Sequence, residues 1–525
     1  MNRFRKIILI IPLVMIISPI LAGTGFACTT FIAGKGVTAD GSILFAKTED
    51  DSGIYNDYLW YIPPGEHEEG DTIKLVGGGS IPQVEKTYGY FWDQPPGTEY
   101  SNAVVNEWGL ALGSDACPSR EDSIEEVRRR GDITEGGIGW RLRIILAERC
   151  KTAREAVELA ARLLDRYGYR GSGRTLNIVG REEAWMLQMV RGRQYVARRV
   201  RDDEVIPLAN TYTIRQVDMD DRDNYLCSPR LISYAEERGW YDPGSDGEFD
   251  FARAYASSNT RTDPRNTRRQ WIIAKMVDPG FPLTVEEADA GKMPVSVKPA
   301  REITLGDAME IMRSHYEATS LDDSGGYQSS PHRNSSRPIC TYRSHRTTVI
   351  QQREDMPREI GTVIWRALYQ PCTSCFVPWY LCATDIPKPF QAVRPPAPEQ
   401  DLHDYHFNMP SSVNEFDISS ASCLFGLMAN LVDTDYGNLI DYVRGRWEEF
   451  EKFQFDMQGP VEKTALKLYR EDRDAALRYL SDYSRSRALR SLEVAESMVE
   501  VLKTRLWKAE HGKKFEPARE GRQGL

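Results

Sequence analysis

Residues 28–50 read CTTFIAGKGVTADGSILFAKTED. Two short strand-like runs, CTTFIA from Cys28 and SILFAK from Ser42, are separated by turn chemistry around Ala39, Asp40 and Gly41, which is the signature of a β-hairpin. The hairpin puts Cys28 at the very start of a strand, where the backbone is held far more firmly than on a free tail. Before it come Arg3, Arg5 and Lys6, an apolar run from Ile7 to Ile20, and the small-residue stretch Gly25-Phe26-Ala27. This is the pattern of an export signal cleaved between Ala27 and Cys28. Its apolar core, broken by Pro12 and Pro19, falls short of the roughly twenty residues of a membrane helix; an uncleaved anchor is the alternative. No later window approaches a membrane span, so no stable span is expected after processing.

Cleavage at that point would give Cys28 both a thiol and a free α-amine. Such an amine titrates at about 7.7–8.0 and can accept the thiol proton near neutrality, so one residue supplies nucleophile and base. Two other readings compete: half of a disulfide, or the lipidated cysteine of an anchored surface binding protein. Lipidation wants an aliphatic residue three positions earlier, where this chain has Gly25.

The 525 residues, 41% hydrophobic and 27% charged, describe a globular protein and exclude disordered or fibrous classes. The length accommodates a large catalytic domain plus one accessory region. A net charge of −10, three units more negative without the leader, disfavours nucleic acid and anionic lipid as partners. All nine cysteines lie beyond residue 27. Export permits disulfides, and eight thiols could pair if one is kept for chemistry, with connectivity unspecified. Cys372-x-x-Cys375 with Cys382 could be a metal or redox motif, but no histidine nearby in sequence completes a zinc set, so a disulfide is preferred. His403 and His406, beside a Pro-rich break, read as surface residues. Neither a Gly-x-Ser-x-Gly elbow nor a His-Glu-x-x-His motif occurs, and the triple glycine at 77–79 lacks the context of a phosphate loop.

Between Trp140 and Tyr167 the pattern is helical. Thr152 and Glu155 stand at capping-box spacing, Ala156, Leu159, Ala160, Leu163 and Leu164 recur on one face, and Gly168 stops the run. Three strand-like runs follow at 175–179, 184–190 and 194–200. Helices followed by an antiparallel meander favour layered α/β packing over a parallel Rossmann sheet. Residues 319–345 read as a long surface loop, 387–398 as a second break, and the chain after Asp433 as charged helix through Trp507. The organisation expected is a leader at 1–27, a catalytic domain at 28–400 and a C-terminal helical region at 401–525.

Taken in order, 28–30 (CTT), 39–42 (ADGS), 46–50 (AKTED), 102–111 (NAVVNEWGLA), 151–156 (KTAREA), 184–185 (AW), 207–210 (PLAN), 264–265 (PR), 357–363 (PREIGTV) and 376–378 (FVP) resemble the dipeptidase A family of N-terminal-nucleophile cysteine peptidases. The resemblance implies an α+β fold of four layers, αββα, in which Cys28 opens a central strand as the nucleophile. It also implies that Asp50 orients the Cys28 amine and that Asn210 donates to the oxyanion. An arginine beyond Asn210 completes the site in the wider bile-salt hydrolase and penicillin acylase relatives; Arg265, Arg268 and Arg269 are candidates, with Arg265 or Arg269 preferred. Where these families carry an arginine three residues before the aspartate, this chain has Lys47. Lysine keeps the charge that lowers a thiol pKa and loses the planar fork. The implied activity is hydrolysis of short peptides without metal or organic cofactor, with an acylase of the bile-salt or penicillin type as the alternative. An acidic protein also suits an ammonium-bearing substrate held by a carboxylate in the cleft. Self-association stays open.

Overall fold

The computed structural model describes residues 28–50, 56–93, 97–99, 103–392 and 402–511. The leader expected at 1–27 and the 400/401 boundary lie outside the described residues.

The expected hairpin forms. Strands Thr29–Ala33 and Ile43–Asp50 pair antiparallel, with Thr30 opposite Lys47 and Ile32 opposite Phe45. Gly41, at φ 71°, supplies the left-handed turn conformation that a side chain would resist. Both faces of the hairpin are buried, so its strands read as nearly continuous apolar runs. Ile32, Ile43 and Phe45 enter one core; Phe31, Ala33, Leu44 and Ala46 enter another, as the period of two requires.

Among the described residues two large antiparallel sheets dominate. The six-stranded sheet runs in the order Val205–Leu208, Thr29–Ala33, Ile43–Asp50, Ser344–Gln352, Thr362–Leu368, Val377–Tyr380. The eight-stranded sheet contains the predicted meander as Tyr169–Val179, Ala184–Gly192 and Tyr195–Val200, continued by Ala111–Ala116 and Ala103–Asn106. The inner faces meet through Ile32 and Phe45 on one side and Val105, Val179 and Met186 on the other. Helices Pro264–Val277 and Leu305–Arg313 cover the outer face of the first sheet through Ile273 and Met312. Helix Ala153–Tyr167 covers the second, setting Ala156, Ala160 and Leu164 in one core with Leu176, Trp185 and Leu187. Each such leucine, isoleucine or methionine removed from water contributes roughly 1.5–3 kcal/mol. The result is the four-layer αββα stack of the α+β class.

The Ala153–Tyr167 helix starts where its cap dictates. The Thr152 hydroxyl accepts from the Glu155 N–H at 3.2 Å, and Glu155 reaches back to the Lys151 N–H at 2.7 Å. Gly168, at φ 72°, ends it. The C-terminal region forms helices Ala421–Thr434, Tyr436–Glu471 and Arg473–His511. The second of these is tied to the segment before the Val377–Tyr380 strand: Trp447 Nε1 donates to the Thr373 carbonyl at 2.9 Å and Gln454 Nε2 to that of Phe376 at 2.8 Å. No helix among the described residues is long and apolar enough to cross a membrane.

Three sequence expectations need correction. Residues 319–345 carry only the short helical turn Pro331–Arg333 before strand Ser344–Gln352 begins, yet they bury His332, Ile339, Cys340 and Thr341, so this is not simply a surface loop. His403 and His406 are not surface residues either. The Leu402–Phe407 helix lays both rings against Trp92, at centroid distances of 4.9 and 4.7 Å. Finally, all nine cysteines are unpaired. Cys375 is buried near Glu451 while Cys372 faces a different environment, so the expected bridge in the Cys372-x-x-Cys375 motif is absent.

Candidate active site

The strand pairing itself assembles the centre. Thr30 lies opposite Leu208 on one side and opposite Lys47 on the other; carrying each register two residues further sets Asn210 and Glu49 opposite Cys28. Alternation turns Cys28 to the same side as Thr30 and Ile32, into the space between the sheets. Cys28 is 2% exposed.

The adjoining helix supplies the arginine. Pro264–Val277 begins with Asp263 as its N-cap and Pro264 in its first turn, a position proline tolerates because its missing N–H has no helical partner there. Arg269, one and a half turns in, is fully buried. Its NH1 donates to the Cys28 carbonyl at 2.6 Å and to Thr29 Oγ1 at 2.8 Å; its NH2 donates to Asn210 Oδ1 and Asn266 Oδ1, both at 3.0 Å; its Nε donates to the Arg265 carbonyl at 2.7 Å. A guanidinium has five N–H donors, and all are engaged. Because its Oδ1 accepts from Arg269, Asn210 has a defined orientation, and its Nδ2 is buried without a hydrogen-bond partner among the described residues.

Of the two preferred arginines, Arg265 is the correction. Its side chain is 67% exposed and is held by Asp263 at 2.7 Å, at the end of the helix, where it lines the cleft mouth one turn short of the buried Arg269. Arg268 pairs with Asp289 at 2.9 Å and with Ser336 Oγ at 3.0 Å.

Lys47 bridges the two sheets. Its Nζ lies 3.2 Å from Asp115 Oδ1 on the facing sheet and 3.5 Å from Glu49. Asp115, with no exposure, also accepts from Thr30 Oγ1 at 2.9 Å and from Asn177 Nδ2 at 2.8 Å. Asp50 faces the helical side, accepting from Ser344 Oγ at 2.8 Å and from Arg337 NH2 at 3.0 Å.

Burial sets the electrostatics. It pushes the Cys28 thiol far above its ordinary value, with Glu49, Asp115 and Asp50 adding and Lys47 opposing. In this chain the Cys28 nitrogen is an amide to Ala27, so it cannot take that proton; a freed amine could. Burial also raises Asp50, against the pull of Arg337, Arg269 and the Ser344 hydrogen bond. Lys47 is raised although burial alone would lower it, because Asp115, Cys28 and Glu49 outweigh desolvation. Arg269 is lowered to about 10 by burial and the neighbouring Arg337, with Asp50 opposing.

A cleft of about 660 Å³ reaches this centre, lined among others by Asn210, Asn266, Asp263 and Arg337, a volume within the range of small-molecule sites. Its wall also carries Arg265, Arg333 and Arg343, whereas its carboxylate Asp263 is occupied by Arg265. The carboxylate expected to hold a substrate ammonium is therefore not free among the described lining residues, and the cleft wall is basic.

Sequence reading missed Asp115, Asn177, Asn266, Arg337 and Ser344. One signal was available: Asp115 interrupts the apolar strand Ala111–Ala116 on the face that otherwise points inward. The others are polar residues in a helix (Asn266), strands (Asn177, Ser344) or a loop (Arg337) with no local pattern to single them out.

Residues 27–448 match the family model described as peptidase family C69. A probable dipeptidase of Salmonella dublin is 27% identical over 362 residues, covering 68% of this chain and 82% of that one. A probable dipeptidase B of Streptococcus pyogenes serotype M1 is 26% identical over 372 residues, covering 68% and 73%. Among solved structures, penicillin V acylase from Agrobacterium tumefaciens aligns at TM-score 0.31 and 15% identity, covering 67% of this chain and 86% of that one.

Proposed function

The chain belongs to peptidase family C69, and on that premise we propose that it is a cysteine dipeptidase whose nucleophile is Cys28, exposed as the first residue when the preceding leader is removed on export. The freed α-amine takes the thiol proton, and the sulfur attacks the peptide carbonyl to form a tetrahedral adduct. Asn210 Nδ2 donates to its oxyanion. The C–N bond breaks as the ammonium returns a proton to the leaving amine. Water then hydrolyses the thioester, releasing the acid and restoring the thiol. Asp50 positions the amine, and Lys47 offsets the negative charge of Asp115 and Glu49 around the sulfur.

The observation that carries this reading is the unpartnered Asn210 amide, buried opposite Cys28 and oriented by Arg269. A buried donor without a partner costs about 1–3 kcal/mol, a cost that a substrate oxyanion removes. The arginines of the cleft wall suit the free carboxylate of a short peptide. That preference is shared by glycine- and taurine-conjugated acyl amides, which makes the acylase reading the second one.

The test uses purified secreted protein. N-terminal sequencing is expected to start at Cys28. Dipeptides are expected to be cleaved faster than the same peptides C-amidated, and faster than conjugated bile acids; a conjugated bile acid as best substrate selects the acylase. Cys28→Ala is expected to abolish hydrolysis with an unchanged unfolding midpoint. Retained hydrolysis in that variant rules out the Cys28 mechanism.

A further inference from the structure

A second constellation lies beside the Cys28 cleft, whose wall His332 shares. His315, just beyond helix Leu305–Arg313, His332 in the turn Pro331–Arg333, Cys340, and Cys372 beyond strand Thr362–Leu368 are all buried, and their ligand atoms lie within 4.8 Å of one another. The histidines missing near Cys372 in sequence arrive from 57 and 40 residues upstream. The set therefore draws on Cys372 of the motif but not on Cys375 or Cys382, with ligands distant in sequence.

Both imidazoles are oriented from behind. His332 Nδ1 lies 2.7 Å from Asp433 Oδ1; a carboxylate acceptor there assigns the proton to Nδ1 and turns the lone pair of Nε2 toward Cys372 Sγ, 3.0 Å away. His315 Nδ1 lies 2.7 Å from Glu317 Oε1, which turns its buried Nε2 toward Cys372. Two carboxylate–histidine pairs with their second nitrogens converging on thiols form the arrangement that fixes metal-binding imidazoles. The Tyr436 hydroxyl donates to Cys372 Sγ at 3.5 Å, a contact that supports a thiolate. A cavity of about 330 Å³, lined in part by His315, Glu317, Tyr327, Cys372 and Tyr436, gives an ion a way in.

We propose that His315, His332, Cys340 and Cys372 hold one structural zinc ion. Two imidazoles and two thiolates are the ligand set of a closed tetrahedral zinc site, and bonds of about 2.0–2.3 Å make a tetrahedron with edges of roughly 3.3–3.8 Å, which needs only a small contraction of this cluster. The ligands bracket the segment that carries Arg337, so the ion clips that segment to the fold and holds Arg337 against Asp50. A Cys340–Cys372 disulfide is the rival. It would consume the Cys372 thiolate that both imidazoles face, whereas an ion satisfies both imidazoles and both thiolates.

The full secreted protein, purified without chelator from zinc-supplemented medium, is expected to contain one zinc per chain by elemental analysis. Cobalt exchanged into the site should show thiolate-to-metal charge-transfer absorption. Chelation should lower the unfolding temperature, and readded zinc should restore it. Asp433→Asn should weaken zinc affinity about 10–100-fold. Cys372→Ser should lose the ion; should that variant fail to fold, the zinc content and cobalt spectrum of the unaltered protein decide alone. Protein without stoichiometric metal, or a Cys340–Cys372 cross-link in non-reducing peptide maps, overturns the proposal. Either result leaves the identity of the nucleophile untouched, because it concerns only how Arg337 is held on Asp50.

Discussion

Arg269→Lys keeps a positive charge at the centre and removes the fork, and the structure sets the size of the loss. The five acceptors of Arg269 are the carbonyls of Cys28 and Arg265, the Thr29 hydroxyl, and the amide oxygens of Asn210 and Asn266. An ammonium has three donors on one atom, so at least two acceptors lose their partner. Hydrogen bonds to a charged group are worth about 1.5–3 kcal/mol each, so two amount to about 3–6 kcal/mol, shared between folding and the transition state. With about 1.4 kcal/mol per factor of ten, half of that loss lowers turnover by roughly 10–100-fold, and losing the Asn210 contact frees its amide to rotate. Arg265→Lys disturbs only an exposed pair worth about 0–1 kcal/mol. The assay is kcat and KM on a cleaved dipeptide for both variants, with urea unfolding in parallel. Arg269→Lys should lose turnover with little change in KM, and Arg265→Lys should stay within about threefold of the parent. An Arg269→Lys enzyme with parental turnover, or equal losses in both variants, refutes the assignment of Arg269.

Two further outcomes concern stability. Lys47→Met leaves Asp115 buried without its cation and should cost about 3–5 kcal/mol in urea unfolding; adding Asp115→Asn should recover part of it, and strict additivity would show that the two do not interact. His406 is lowered from 6.5 to about 4 by burial, despite its hydrogen bond to the Thr98 carbonyl. Its folded pKa lies below the unfolded one, so its contribution is complete above 6.5 and is lost as the pH falls toward 4. Between pH 7 and 5 the loss is about 2 kcal/mol, and His406→Gln should remove that component; an unchanged pH dependence in the variant would show that His406 does not titrate this way.

The parts of this fold legible in the sequence were those with local signatures. The hairpin around Gly41, the Thr152 cap, the Gly168 stop and the three-strand meander each rest on a few neighbouring residues. Layered α/β packing followed from how such elements bury their faces, whereas the four-layer order and the site roles of Asp50, Asn210, Lys47 and Arg269 came from the family resemblance that short motifs carry. Choosing Arg269 over Arg265 was beyond sequence, since four residues along a helix decide between a buried guanidinium and an exposed one. Asp115 and Arg337 owe their place to pairings between distant segments, and the His315–His332–Cys340–Cys372 cluster is invisible for the same reason. The surface readings of His403 and His406 failed because a polar ring beside a Pro-rich break looks solvated until the tryptophans it packs on are known.

The order of strands in the six-stranded sheet has a consequence for timing. Val205–Leu208, Thr29–Ala33, Ile43–Asp50 and Ser344–Gln352 lie side by side, so Cys28 meets Asn210 and Arg269, and Asp50 meets Arg337 and Ser344, only after loops of roughly 180 to 290 residues have closed. Such long-range closures come late and slowly in folding. A chain still emerging, or one cut short before Ser344, has a cysteine near its start and nothing arranged around it. With Cys28 as the nucleophile proposed above, its chemistry becomes available only when the architecture is nearly complete.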